Sequence, residues 1–182
     1  MTEEFTLRRA ERKRQRLRLA LAGASGGGKT ASALLLARGI VEEMLARGLV
    51  GGTLEGKIAV VDTERNSSEL YSHIVPFDVI PLSKPYSVER YDKAMAAAER
   101  AGVQVLIIDS ISHAWVGDGG VLALLRTVED HKRFSAFNDV VNPVQDEFVD
   151  RLLRSPCHVI ATMRSKTAWV IEQQTKTRRD GS

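Results

Sequence analysis

The chain has 182 residues, 43% of them hydrophobic and 27% charged, the composition of one soluble domain with one packed core. No apolar run approaches the roughly 18 residues of a membrane span, and the charged N-terminus holds no secretory segment, so a cytoplasmic protein without membrane contact is expected. Its one cysteine, Cys157, excludes an internal disulfide and a cysteine metal cluster, and the net charge of +3 is uneven: the first 16 residues and residues 164–182 each carry +3 around a middle of −3.

Short apolar runs alternate with longer amphipathic ones, the pattern of a parallel α/β sheet. After a basic lead over residues 1–15, Arg16 to Ala22 reads as the first strand of a core spanning 16–172. It feeds Gly23-Ala-Ser-Gly-Gly-Gly28-Lys29-Thr30, which fits the phosphate-binding pattern G-x-x-x-x-G-K-[ST] at every fixed position. The helix after it runs from Lys29 to about Arg47 and is stopped by Gly48. A strand, a glycine turn and a helix together are the context in which this pattern binds a nucleoside triphosphate. Backbone N–H groups curl around the anion where no Cβ intrudes, and the helix start adds unpaired donors. Gly23, Ser25, Gly26, Gly27, Gly28, Lys29, Thr30 and Ala31 are the expected contacts. Lys29 reaches the β- and γ-phosphates, and the Thr30 hydroxyl serves Mg²⁺.

Lys57 to Val61 reads as a second strand that delivers Asp62-Thr63-Glu64 at its C-terminal end, and Phe77 to Ile80, between Pro76 and Pro81, as a third. Ser87 to Ala101 reads as a helix with Ser87 as N-cap. Val103 to Ile108 is almost uniformly apolar, as a strand buried on both faces is. A turn over Val116 to Gly120 precedes a helical stretch over 121–131, and Ala136 to Arg154 is helical with an interruption at Pro143. His158 to Met163 is the fifth strand, Ala168 to Ile171 starts a sixth, and residues 173–182 form a basic tail. The basic ends either touch nucleic-acid phosphates or are solvated tails.

Val105-Leu-Ile-Ile-Asp109 ends an apolar strand on an aspartate about 80 residues after the glycine loop. Ligands of open α/β sheets sit beyond the carboxyl ends of the strands, so Asp109 and the loop are expected to face one crevice and hold Mg²⁺ with Thr30. Ser110 follows Asp109 where many ATPases carry a glutamate, so the hydrolytic base comes from elsewhere. Glu64 is the first candidate and Asp62, pointed to the other side by strand alternation, the second. Glu64 also reads as a helix N-terminal charge near Asn66. The four histidines, 73, 113, 131 and 158, lack metal-ligand spacing. His113 and Trp115 follow the aspartate strand closely enough to line the crevice, His113 more simply as a hydrogen-bonded structural residue.

Glu64 after one strand, Asp109-Ser110 after another and Thr162-Met-Arg164-Ser-Lys166 after a third resemble the RecA-like recombinase ATPase core, closest to short phage-encoded AAA-type or single-strand-annealing recombinases. The resemblance implies a three-layer P-loop NTPase fold with a mostly parallel central sheet. It implies ATP and Mg²⁺ as cofactors, Glu64 and Lys29 as catalytic residues, and Tyr71 against the adenine. It places Thr162 where a glutamine senses the γ-phosphate, with Arg164 and Lys166 beyond it to touch that phosphate, a neighbouring subunit or DNA. Single-stranded DNA, ATP and ADP are the implied partners, a ring or filament of identical subunits the implied assembly, and a host cell's cytoplasm the implied location. A nucleotide-gated interaction module with little turnover and a small-molecule P-loop kinase are the competing classes.

Overall fold

Five of the apolar runs become strands, and all five pair in parallel. The computed structural model describes residues 7, 9–10, 15–128, 135 and 137–165. The expected sixth strand, Lys166, His131, the basic tail and most of the basic lead lie outside the described residues. In chain order the elements are β1 (Arg18–Gly23), α1 (Lys29–Ala46), β2 (Ile58–Asp62), a 3₁₀ turn (Ser67–Tyr71), β3 (Asp78–Pro81), α2 (Val88–Arg100) and β4 (Val105–Asp109). There follow α3 (Ser112–Val116), a 3₁₀ turn (Val121–Thr127), a π turn (Phe137–Val141), α4 (Asn142–Arg154) and β5 (His158–Arg164).

The strand order is β1-β5-β4-β2-β3. Every residue of β2 and β4 is buried, because helices cover both faces of the sheet. Side chains alternate along each strand, so Val60, Ile107 and Ile160 pack against Ala33, Leu34, Ala37 and Val41 of α1. Ala59, Val61, Leu106 and Ile108 meet Tyr91, Met95 and Ala98 of α2 and Phe148 of α4 on the other side. The Tyr91 and Phe148 rings meet edge-on at 5.5 Å. Arg151 of α4 clamps Asp92 and Glu99 of α2, and Ser155 donates to Glu99 at 2.7 Å. Burial raises the Glu99 pKa, but the hydrogen bonds from Arg151 and Ser155 outweigh it and hold the carboxyl below its ordinary value. The result is a three-layer α/β sandwich, as expected. Asp62 pairs with Asp109 across β2 and β4, and Gly23 with Arg164 across β1 and β5, which brings the functional strand ends to one edge.

Some local expectations shift. Pro143 does not interrupt a helix but starts one: it lies in the first turn of α4, where its missing N–H is no loss. The stretch after Gly120 forms a 3₁₀ turn, and Ser87 holds the N-cap position of α2 without a side-chain cap bond. Cys157 is a buried filler whose thiol reaches the Val103 carbonyl at 3.0 Å.

A hydrogen bond at the opposite edge of the sheet, where β1 and β5 begin, responds to pH. The Leu17 N–H donates to His158 Nδ1 at 3.0 Å, and burial, with Arg16 and Arg18 nearby, holds the imidazole below its ordinary pKa. The unfolded chain therefore takes up this proton first. Stability is full above the ordinary value of 6.5 and is lost as pH falls from there through the lower folded value. Urea midpoints measured between pH 7.5 and 5.5 should fall on acidification, and less steeply in His158→Asn. Equal slopes would assign the acid sensitivity to other groups.

Candidate nucleotide site

The end of β1 turns through Ala24–Gly28 into α1. Gly26 and Gly28 adopt φ of 76° and 74°, a left-handed backbone that side chains with a Cβ rarely tolerate. A Cβ on Gly27 would lie 3.1 Å from the Ala24 carbonyl oxygen. These conformations curl the loop, and Ser25 through Thr30 line a shallow cavity of about 170 Å³ above it. Gly23 closes β1 below the loop and Ala31 follows in the first turn of α1, and neither lines the cavity. The Lys29 ammonium donates to the Ala24 carbonyl at 2.7 Å.

Asp109, 4% exposed at the end of β4, is held from two sides. Thr30 Oγ1 donates to Oδ2 and Thr162 Oγ1 to Oδ1, each at 2.5 Å. The Asp109–Ser110 peptide is cis. Thr162, expected to contact the nucleotide, is fully buried, donates its hydroxyl to Asp109 and does not line the cavity. A hydroxyl and a carboxylate at the cavity edge are hard oxygen donors, and they fit Mg²⁺, which takes one or two protein ligands and completes its shell with phosphates and water. Among the described residues no group of three or more His, Cys, Asp or Glu could hold a metal without such help.

Beyond β2 the chain makes a tight turn organised by Asp62. This carboxylate is 2% exposed and accepts from the Glu64 N–H at 2.6 Å, the Ser68 N–H at 2.9 Å and the Ser68 hydroxyl. Asp62 is thus the strut of the turn, and it does not line the cavity. Thr63 ties the turn to β4, its N–H donating to the Asp109 carbonyl at 2.7 Å. Glu64 projects into the cavity opposite the glycine loop, with its side chain 17% exposed and ion-paired to Arg164. The expectation that Glu64 serves as a helix N-terminal charge has no place here, since the 3₁₀ turn starts only at Ser67.

Tyr71 lines the same cavity while packing its ring against the α1-side core. Ser67, Leu70, Ser110 and Arg164 line it too. Leu70, 77% exposed, was not expected there, and only its place in the 3₁₀ turn brings it to the rim. His113 sits outside: its Nδ1 lies 2.7 Å from Thr63 Oγ1 and 4.0 Å from Glu64, and its ring stacks on Tyr86 at 4.8 Å. Trp115 faces an apolar groove between α3, α4 and β5. That groove, at about 660 Å³, and another between α2 and α4, at about 580 Å³, are larger than the loop cavity. Size does not select the functional site here. Anion-directed N–H groups, a lysine and two acids converge only at the smaller one.

A five-stranded parallel sheet, a glycine loop opening α1, and a carboxylate at the end of β4 define a P-loop NTPase. The sequence model described as AAA domain matches residues 15–180, and the chain belongs to that family of nucleotide-binding ATPases. No curated protein matches the chain. Among the described residues no helix is long and apolar enough to cross a membrane.

Proposed function

We propose that this protein is a Mg²⁺-dependent ATPase that couples its nucleotide state to single-stranded DNA binding and to assembly of identical subunits, in the cytoplasm, in recombination or replication of the phage type. The observation that carries the reading is the convergence of Lys29, Thr30, Asp109 and Glu64 on one cavity from three separate segments, the start of α1 and the ends of β4 and β2. Lys29 leaves the Ala24 carbonyl for the β- and γ-phosphates. Thr30 and Asp109 hold the metal, which neutralises charge on the phosphate oxygens. Glu64, across from the loop, takes the proton of the attacking water. Tyr71 and Leu70 supply an apolar wall for the adenine. Thr162 acts through Asp109 by fixing its carboxylate.

A gated module with little turnover is the second reading. It is favoured by two resting contacts, Glu64 to Arg164 and Lys29 to Ala24, which occupy the groups that hydrolysis needs. A kinase of this class closes an arginine-rich lid over its site; of the basic residues in the candidate stretch 116–133, Arg126 sits on the 3₁₀ turn after Gly120 and does not line the cavity, and Lys132 and Arg133 lie outside the described residues. The deciding measurement is phosphate release from Mg²⁺-ATP with and without a long single-stranded oligonucleotide at two salt concentrations. Stimulation that weakens at the higher salt is expected, because phosphate contacts release counterions. ATP binding with no release under any condition would select the gated module.

A further inference from the structure

A second cavity, about 380 Å³, lies on the far side of the Glu64–Arg164 pair, and those two residues line both cavities. Its other walls are Thr63, Arg65, Lys84, Tyr86, His113, Gly117 and Asp118. The ionisable side chains comprise three cations, Arg65, Lys84 and Arg164, against two carboxylates, Glu64 and Asp118, with the half-buried His113 beside them. Both carboxylates are already engaged: Glu64 with Arg164, and Asp118 with Lys84 at a loose 3.6 Å between groups that are 63% and 67% exposed. Such an exposed pair holds its lysine weakly. Arg65 makes no ion pair among the described residues.

The backbone around Arg65 is a second, independent observation. Arg65 and Asn66 have φ of 58° and 61°, two successive non-glycine residues in the left-handed region that L side chains seldom adopt. The Asp62 carboxylate enforces this turn from inside. Its effect is to send Glu64 into the nucleotide cavity and Arg65, the next residue, into the second one. The facing wall is equally fixed. A Cβ on Gly117 would lie 2.7 Å from the Tyr86 ring, and one on Gly119 would lie 2.5 Å from Pro85, so the loop after α3 seats directly on the segment after β3.

We infer that this second cavity binds a backbone phosphate of single-stranded DNA, held by Arg65, Lys84 and Arg164. The inference rests on the ATPase reading above for its DNA partner and adds the place of contact. A long strand suits the site better than a small metabolite, because the cations sit on an open rim, whereas small-molecule sites bury most of their ligand. A phosphate bound between Arg65 and Arg164 competes with Glu64 for the Arg164 guanidinium. DNA occupancy is thereby linked to release of the base in the neighbouring cavity.

Binding of a fluorescent oligodeoxythymidylate, followed by anisotropy across a salt series both without nucleotide and with a non-hydrolysable ATP analogue and Mg²⁺, tests this without requiring hydrolysis. Each phosphate contact to a single strand contributes about 0.7 to the slope of log affinity against log salt. Because the site holds one phosphate, Arg65→Gln, Lys84→Gln and Arg164→Gln combined should lower the slope by about 0.7, and each alone should weaken binding with a smaller change of slope. Asp118→Asn should tighten binding, a gain that a misfolded variant does not give. If the wild-type protein binds the oligonucleotide and these substitutions leave slope and affinity unchanged, the strand contacts another surface; the site is overturned while the DNA-coupled reading stands. If the wild-type protein binds no oligonucleotide even at low salt, both fail together.

Discussion

Glu64→Gln is expected to slow phosphate release by about 10²- to 10⁴-fold while ATP still binds, the loss typical of removing a general base. The amide keeps the size and the hydrogen-bonding outline of the carboxylate, so the turn held by Asp62 and the contact with Arg164 persist. What disappears is the capacity to accept a proton from water. The geometry makes the experiment discriminating, because Asp62, the other acid of this segment, is enclosed by Glu64 and Ser68 donors and does not reach the cavity. An unchanged rate would place the base elsewhere. Loss of ATP binding together with turnover would make Glu64 a structural residue. Binding measured with a fluorescent ATP analogue and release measured in single turnovers separate the two.

Thr162→Val should raise the Mg²⁺ concentration needed for half-maximal activity by about 10- to 100-fold, the range for outer-sphere partners of metal ligands. The substitution keeps the buried shape but removes the donor to Asp109 Oδ1, leaving the carboxylate tethered only through Thr30. Nucleotide affinity without Mg²⁺ should be untouched, and Thr162→Ser should restore the wild-type metal requirement. A γ-phosphate sensor at this position would behave differently: Val would change the response to ATP against ADP and leave the Mg²⁺ requirement alone. Full burial of Thr162 argues for the first outcome.

Much of the fold was legible because burial and spacing are written locally. Val105 to Ile108 are apolar without alternation since both of their faces are covered, and the five strands follow from such runs within a residue or two. Pro143 was misread because the same residue breaks a helix interior and suits a helix start, and only the packing of α4 decides between them. The short α3 went unread: its five residues are too few for helical periodicity to show.

The site divides along the same line. The glycine loop, Lys29 and Thr30 are contiguous, and their chemistry depends on the order of residues along one strand, turn and helix, so the sequence alone determines a phosphate cradle. Asp109 and Glu64 were recognisable as acids at strand ends, since parallel strands carry their sites at that edge. Their partners were not recognisable. That Thr162 supports Asp109 from below, that Asp62 braces a turn, and that Arg164 meets Glu64 between two cavities depend on strand order and register, which join residues up to 100 positions apart. Strand order and register are set by the packing of α1 on one face and of α2 and α4 on the other, and the tertiary structure alone decides which side chain answers which charge.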